Sequence, residues 1–406
     1  MGRRVLDGRA QVRRIGGLDA VAAGLFALGV LCVLTGALPW ADAAETMRRT
    51  LPILLFLATV IVLAELVAEA EVFDVLADRM AVLAGGRPAA LFALCVLLAS
   101  VTTITLNLDT TAVLLTPVML AVARRTGLSP LPLAMTALWL ANTASLLLPV
   151  SNLTNLLAAD RVALSAPRFA ALMIGPQLAA ITVTAACLWA GYWRGAIHAN
   201  ATGGRYRSPP GHRPRDPVLF RLALATCAVF AAGAVSGVGV AWVSSGCVAV
   251  LAGAFLVRRR TALRVRLLPW RLLVLVTGLF LTVQTIAANG LGEILRALLG
   301  DGSGPAGVIR AAATGAVAAN LFNNLPVYLA AERVLPAGDL DRLLGLLIGV
   351  NAGPLALPWA SLATLICLGH LRRHGVRVPW ARFVLTGAVT ATLAVTAATG
   401  AFLLVR

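Results

Sequence analysis

Charge is what this chain has least of: Asp, Glu, Lys and Arg supply only 13% of its 406 residues, against about 25% in an ordinary soluble domain. With 59% hydrophobic residues, that scarcity excludes a conventional water-soluble fold. The short alternating strands of a membrane barrel are missing as well. So is a Gly-rich loop ending in Lys-Ser/Thr, which excludes ATP hydrolysis by the chain itself. The six cysteines (Cys32, Cys95, Cys187, Cys227, Cys247, Cys367) all lie in apolar segments with no close metal-ligand spacing. They read as buried small hydrophobes, without a disulfide framework. His198, His212, His370 and His374 fall in expected loops and form no metal cluster. An enzyme working within a membrane needs a nucleophile–base set or an acid/His metal cluster near its core. Neither is evident, so the sequence reads as a non-enzyme that needs no cofactor, with an enzyme or scaffold role as the remote alternative.

What the chain does have is apolar runs near 20 residues, recurring from end to end, the length of helix that crosses a bilayer. Backbone groups in lipid must be satisfied internally, so helices are expected. Simple spans fall near 18–39, 50–70, 87–107, 165–190, 218–235, 238–257, 268–288 and 381–404. Two further regions, 107–160 and 307–369, are apolar but interrupted by Asn, Pro, Gly and Ser/Thr. Each suits one broken helix plus a re-entrant hairpin. The expectation is an all-α polytopic membrane protein of about ten transmembrane helices.

The formal net charge of +17 does not imply nucleic acid. Its Arg residues cluster between apolar spans, as the positive-inside rule expects of cytoplasmic loops. The clusters are Arg3 to Arg14, the 193–217 loop, Arg258 to Arg266, and His370 to Arg382. Placing all four in the cytoplasm puts the amino terminus there, in an inner (plasma) membrane. The first span is too long for a signal h-region and reads as a retained anchor. Residues 1–192 then form a first repeat and 193–217 a basic cytoplasmic linker. Residues 218–406 form a second repeat that includes a helical hairpin at 218–257. The glycosylation-like "NAT" at Asn200 is accidental in a cytoplasmic loop.

The repeat is visible in the polar segments. "ANTASLLLPVSNLTNL" (Ala141–Leu156) lies over "VNAGPLALPWASLATL" (Val350–Leu365) at an offset of 209, matching Asn142 with Asn351 and Pro149 with Pro358. "NLDTTAVLLTPV" from Asn107 lies over "NLFNNLPVYLAA" from Asn320 at an offset of 213, and "LPILLFLA" from Leu51 over "LPWRLLVL" from Leu268 at 217. The charge-derived topology makes the halves inverted. Inverted repeats with helices broken in matching places point to a secondary transporter that binds its cargo at the repeat interface.

Opening a helix exposes N–H groups at one end and C=O groups at the other, suited to anions and cations respectively. Asn adds donors and an acceptor without net charge. The first break offers Asn142, Thr143, Ser145, Ser151, Asn152, Thr154 and Asn155. Its counterpart offers Asn351, Gly353, Ser361 and Thr364. "TLNLDTT" (Thr105–Thr111) and "NLFNN" (Asn320–Asn324) supply two further polar tips. Asp109 is the only acid among these clusters; an intramembrane carboxylate is costly when charged and unpaired, so it reads as a proton carrier or cation ligand, the alternative being a cap on the broken helix or a carboxylate in water near the surface. Glu65, Glu69, Glu71 and Asp74 are expected to be solvated at a cytoplasmic helix end, with Glu65, the deepest, as the best exception. Gln284 suits a supporting donor, and Glu332 suits pairing with Arg333 or Arg310.

These same segments, with "GVNAGPLALPWASLATLICLGHLRRHG", resemble the arsenical-pump membrane protein family. That family sits within the ion-transporter superfamily of citrate and divalent-anion carriers and some sodium/proton antiporters. The resemblance implies inverted repeats, each with a re-entrant hairpin and a broken helix. It also implies efflux of arsenite or antimonite, alone or with a separate ATPase subunit. It maps substrate or ion contacts onto Asn107, Asp109 and Thr110, and onto Asn142, Thr143, Ser145, Ser151, Asn152 and Asn155. In the second half it reaches Asn320, Asn323, Asn324 and Pro326, then Asn351, Gly353, Pro354 and Ser361. The chain departs from that family at Asn142 and Asn351, where Asp is common, and at Trp359-Ala360-Ser361, where Ile-Gly-Ser is common.

The leading expectation is arsenite or antimonite efflux coupled to the proton motive force, with neutral As(OH)3 meeting amides and hydroxyls at the breaks. A citrate-like or inorganic divalent anion carrier is the runner-up, although the two breaks contain no Lys or Arg. A sodium/proton antiporter comes third. The partners expected are therefore a small inorganic or organic anion or neutral arsenite, and a coupling proton or sodium ion. A homodimer is compatible with the sequence.

Overall fold

The computed structural model describes residues 17–195, 206, 211–235, 239–264, 267–336 and 338–406. The basic amino-terminal stretch, Val265 and Arg266, and most of the 193–217 linker, including His198 and Asn200, lie outside these residues. Every regular element among the described residues is helical.

In chain order the helices are α1 (Gly17–Leu34), α2 (Trp40–Glu69), α3 (Val72–Leu83), α4 (Pro88–Thr105), α5 (Leu108–Thr126), α6 (Pro130–Thr143), α7 (Leu153–Arg161) and α8 (Ala166–Leu188), which runs on to Trp193 as a π-turn. There follow α9 (Pro217–Val235), α10 (Val240–Arg258), α11 (Trp270–Ile286), α12 (Gly292–Leu299), α13 (Gly304–Phe322), α14 (Asn324–Glu332), α15 (Leu340–Ala352), α16 (Leu362–Arg373) and α17 (Trp380–Val405).

Six stretches are long and apolar enough to cross a membrane: Trp40–Glu69, Pro88–Thr105, Ala166–Trp193, Ala241–Arg258, Trp270–Leu299 and Trp380–Val405. Two shorter apolar helices, Ala22–Leu34 and Pro217–Gly233, accompany them. The protein is thus a multi-pass helical membrane protein. These eight stretches match the eight simple spans expected from sequence. The expected total of about ten is corrected downward. The two interrupted regions divide into helices of 9 to 19 residues, and none of these qualifies as a crossing helix. Five of them are too short, at 9 to 14 residues, and the two of 19 residues, Leu108–Thr126 and Gly304–Phe322, carry too many polar or charged residues to count as apolar.

Packing between helices relies on small residues, as it must where lipid offers no hydrophobic driving force. Helix α13 lies so close to α15 that a side chain at Gly349 would collide with the Ala312 carbonyl, and one at Gly345 with that of Val308. Gly278 of α11 likewise meets the backbone of α1 at Phe26. Helix α8 packs on α17, α2 on α10 and α11, and α5 on α6, α3 and α16.

Helix α3 has no counterpart among the expected elements. It starts after Glu71, whose φ of 63° is left-handed and uncommon for a residue with a side chain. The Glu71 carboxylate holds this corner. It accepts from the Arg215 N–H at 3.0 Å and lies 2.8 Å from His212 Nε2. Of the four carboxylates, Glu69 is exposed as expected and Glu65 is the expected exception, whereas Glu71 and Asp74 are only half-exposed, which corrects the expectation for those two. Glu65 pairs with Arg373, Glu69 with Arg259, Glu71 with Arg215, and Asp74 with Arg124 and Arg125. Long Arg side chains from distant helix ends and loops make these ion pairs, and sequence proximity does not reveal them.

Candidate functional site: two helix breaks that meet

The first break runs from Ala144 to Asn152, between α6 and α7. Pro149 starts a single 3-10 turn, Pro149–Ser151, because it has no N–H to continue a helix. The second break runs from Gly353 to Ser361, between α15 and α16. There Ser361 caps α16 by accepting from the Thr364 N–H at 3.1 Å.

Each break leaves backbone groups without helical partners, and each is served by one amide side chain from elsewhere. At the first, the N–H groups of Leu146 and Leu147 donate to Gln177 Oε1 at 2.8 and 3.0 Å, while Gln177 Nε2 donates to the Thr143 carbonyl at 3.0 Å. At the second, the N–H groups of Ala356 and Leu357 donate to Asn320 Oδ1 at 3.0 and 3.3 Å, while Asn320 Nδ2 donates to the Gly353 carbonyl at 2.8 Å. Gln177 lies in α8 and is 1% exposed. Sequence reasoning singles out Gln284 as the supporting donor and misses Gln177. The signal is present: a Gln directly after Pro176 inside an otherwise apolar span.

The two breaks meet through Asn351. Its Oδ1 accepts from Asn152 Nδ2 and Thr154 Oγ1, both at 2.8 Å, and its Nδ2 donates to Asn155 Oδ1 at 2.7 Å. Asn155 also donates to the Ser145 and Leu148 carbonyls at 2.7 and 3.0 Å. Ser145 Oγ donates to the Asn142 carbonyl, and Asn142 Nδ2 reaches Thr364 Oγ1 at 3.5 Å. The result is a buried polar seam that joins residues about two hundred positions apart in sequence. Buried polar groups of this kind are stable only when paired.

The turns between α4 and α5 and between α13 and α14 border the seam. Asn107 and Asn323 each precede a second helix with positive φ, 143° and 79°, a region Asn tolerates better than most residues. Asn107 Oδ1 accepts from the Thr110 N–H at 2.8 Å and so caps α5. Asn323 Nδ2 donates to the Trp359 carbonyl, and the Asn324 N–H donates to that of Ala360. The helix boundaries therefore match Asn107 with Asn323, which corrects the sequence register that paired Asn107 with Asn320. Ser151 ties its own break to the end of α4 by donating to the Ile104 carbonyl at 2.7 Å.

Of the expected site residues, Asn142, Thr143, Ser145, Ser151, Asn152, Asn155, Asn320, Asn323, Asn324, Asn351, Gly353 and Ser361 all take part in these break contacts. Asp109 and Thr110 stand apart at the start of α5. Asp109 Oδ1 and the hydroxyls of Thr110 and Thr111 are buried without hydrogen-bond partners, as is Asn142 Oδ1 across the α5–α6 contact. Gly353 serves a steric need as well, since a side chain there would collide with Ala316 of α13. Arg310 binds the Ala297 and Leu298 carbonyls rather than Glu332. Glu332 instead offers its carbonyl to Arg161. His370, expected in a loop, lies buried within α16. No group of three or more His, Cys, Asp or Glu suited to a metal occurs among the described residues.

Known proteins are similar to this chain over most of its length. The chain is 27% identical over 348 residues to the arsenical pump membrane protein of Escherichia coli (strain K12), covering 81% of each chain. It is 24% identical over 412 aligned positions to the putative arsenical pump membrane protein of Bacillus subtilis (strain 168), covering 93% of this chain and 92% of that one. The solved Alcanivorax borkumensis YdaH transporter is 15% identical, with a TM-score of 0.46 over 95% of this chain and 97% of its own. The sequence pattern described as Citrate transporter matches residues 16–369, most of the length, and the chain belongs to that family of membrane transport proteins.

Proposed function

We propose that this protein is a secondary transporter that expels arsenite or antimonite in exchange for protons, working by alternating access around the two helix breaks. The carrying observation is the composition of the seam. Amides and hydroxyls of Asn142, Ser145, Asn152, Thr154, Asn155, Asn351 and Thr364 meet there, and the two breaks contain no Lys or Arg. A neutral trihydroxylated cargo such as As(OH)3 both donates and accepts hydrogen bonds, as these groups do. A di- or trianion would gain little from them beyond the ends of α7 and α16. The names of the E. coli and B. subtilis relatives agree with this cargo.

Asp109 is the coupling group in this reading. It opens α5, its Oδ1 has no internal partner, and it is the sole acid in the polar clusters. A carboxyl so placed gains from carrying a proton during part of a cycle. The paired helix–Asn–helix segments and the paired breaks support two inverted repeats, at 1–192 and 218–406, with the amino terminus in the cytoplasm. A citrate-like anion is the second reading, and the family description favours it.

The test is arsenite flux into everted vesicles under an imposed proton gradient, with citrate flux measured alongside. Gradient-dependent arsenite uptake that collapses with an ionophore and in an Asp109→Asn variant supports the proposal. Citrate uptake without arsenite uptake replaces it with the second reading.

A further inference from the structure

Helix α16 carries a buried imidazole that the transport scheme above leaves unused. His370 is 3% exposed, and neither ring nitrogen has a hydrogen-bond partner. Burying an imidazole unpaired is costly, and this one belongs to a row. Ser361, Thr364, Cys367, His370 and Arg373 recur at every third residue from the second break to the end of the helix. Such residues form a ridge running obliquely around a helix, with adjacent members in reach of one another. The first four are buried.

Each member of the row apart from His370 has a side-chain contact. Ser361 and Thr364 hydroxyls lie 2.9 Å apart at the break, where Thr364 also meets Asn142. Cys367 Sγ lies 2.9 Å from Thr116 Oγ1 of α5. Arg373 ends the row in an ion pair with Glu65 of α2 at 2.5 Å, both partly exposed.

Helix α5 supplies a second wall. Both helices finish at the same end of the molecule: Arg124 and Arg125 of α5 face Asp74 and Asp78 of α3, which directly follows α2. At 1.5 Å per residue, Asp109 precedes Thr116 by about 10 Å and His370 follows Cys367 by about 4.5 Å. The Thr116–Cys367 contact therefore lies between the carboxyl and the imidazole. The charged or titratable groups on the helices around His370 are few. Its own helix offers Arg372 and Arg373, followed by His374, whose Nδ1 lies 2.9 Å from the His370 carbonyl. Helix α5 offers Asp109, Arg124 and Arg125, α2 offers Glu65 and Glu69, α11 offers Arg271 at its first turn, and α6 offers none.

We propose that His370 is the proton-relay residue of the transport cycle, passing protons between Asp109 and the membrane face marked by Glu65 and Arg373. The proposal rests on the reading of Asp109 as the coupling carboxyl. For each proton, the Asp109 O–H bond breaks and a proton moves along the hydroxyls and thiol of the row to one ring nitrogen of His370. The N–H bond at the other ring nitrogen breaks, and that proton leaves past Glu65. Asp109 is left as a carboxylate and the imidazole is neutral again, reset by turning its ring. Only imidazole accepts at one nitrogen while releasing from the other; an amide of similar shape cannot.

The experiment compares wild type with His370→Gln in proteoliposomes, using two readouts. One is arsenite uptake driven by a proton gradient. The other is exchange of labelled for unlabelled arsenite with no gradient, which needs no net proton movement. Driven uptake should fall at least about tenfold while exchange stays within about twofold. Added imidazole should restore part of the driven uptake to His370→Ala. Driven uptake kept in His370→Gln but lost in Asp109→Asn overturns the relay alone. So does an equal fall in both readouts without imidazole rescue, which marks a packing role. Wild-type protein with no driven arsenite uptake overturns the functional reading, and the relay with it.

Discussion

The two helix breaks meet the same demand from different places. At Leu146 and Leu147, the free N–H groups are served by Gln177, which comes from α8, the helix that follows the broken one. At Ala356 and Leu357, they are served by Asn320, which comes from α13, ahead of the broken one. Helix α17 follows the second break as α8 follows the first, yet it brings Gly387 instead of an amide. A side chain at Gly387 would collide with the Leu355 carbonyl. One amide satisfying two N–H groups and one C=O is thus the requirement, and the helix that supplies it is free to differ. Two chain segments that look alike in sequence need not be supported alike.

That comparison is testable by removing each amide in turn. Gln177→Leu strands the N–H groups of Leu146 and Leu147 and the Thr143 carbonyl, and Asn320→Leu strands the N–H groups of Ala356 and Leu357; each should cost about 2–5 kcal/mol, seen as a large drop in the thermal unfolding midpoint of the purified protein. A large loss in one variant and none in the other would mean that the breaks are not equivalent. Close packing around the second break comes next. Gly349→Ala or Gly387→Ala should cost about 1–3 kcal/mol, because each pushes a methyl group against backbone. Leu140, which aligns with Gly349 in the first half, should accept Ala with a cavity cost and no collision.

Coupling between the breaks is expected to be smaller. In a double-mutant cycle of Asn152→Ala and Asn351→Ala, the interaction term should be about 1 kcal/mol. Additive losses would show that the contact across the seam carries no energy of its own. The smallest effect belongs to Glu71, outside the membrane. Burial acts to raise its carboxyl pKa, but the Arg215 N–H and the His212 ring outweigh burial and hold it below the usual carboxylate range. A depressed folded-state pKa stabilises fully above the ordinary Glu range, and that contribution is lost as pH falls through the folded value. Glu71→Gln should therefore cost less than about 1 kcal/mol at neutral pH, and the gap to wild type should close on acidification.

Much of this is legible in the chain itself. The apolar runs reveal the eight simple spans, because crossing lipid imposes a length that composition shows. The breaks are legible because Asn, Pro and Ser/Thr have no other reason to cluster in apolar helices. The register of the α13–α14 turn is not, since "NLFNN" offers three Asn and only backbone dihedrals single out Asn323. Gln177 is hidden for a different reason. Its function depends on α8 lying beside a break thirty residues earlier, which no local pattern encodes. His370 looks like a loop residue because it adjoins Arg372, Arg373 and His374. Helix α16 in fact carries its buried stretch through to Leu371.

The central claim is that cargo passes where the two breaks meet. It is tested most directly by gradient-driven arsenite flux in vesicles carrying Asn351→Leu, with correct folding verified by gel filtration. Losing the contacts to Asn152, Thr154 and Asn155 together should cut flux at least about tenfold, as removal of about 1.4 kcal/mol or more of stabilisation requires. Flux equal to wild type in the folded variant would contradict the account and move the transport route away from the seam.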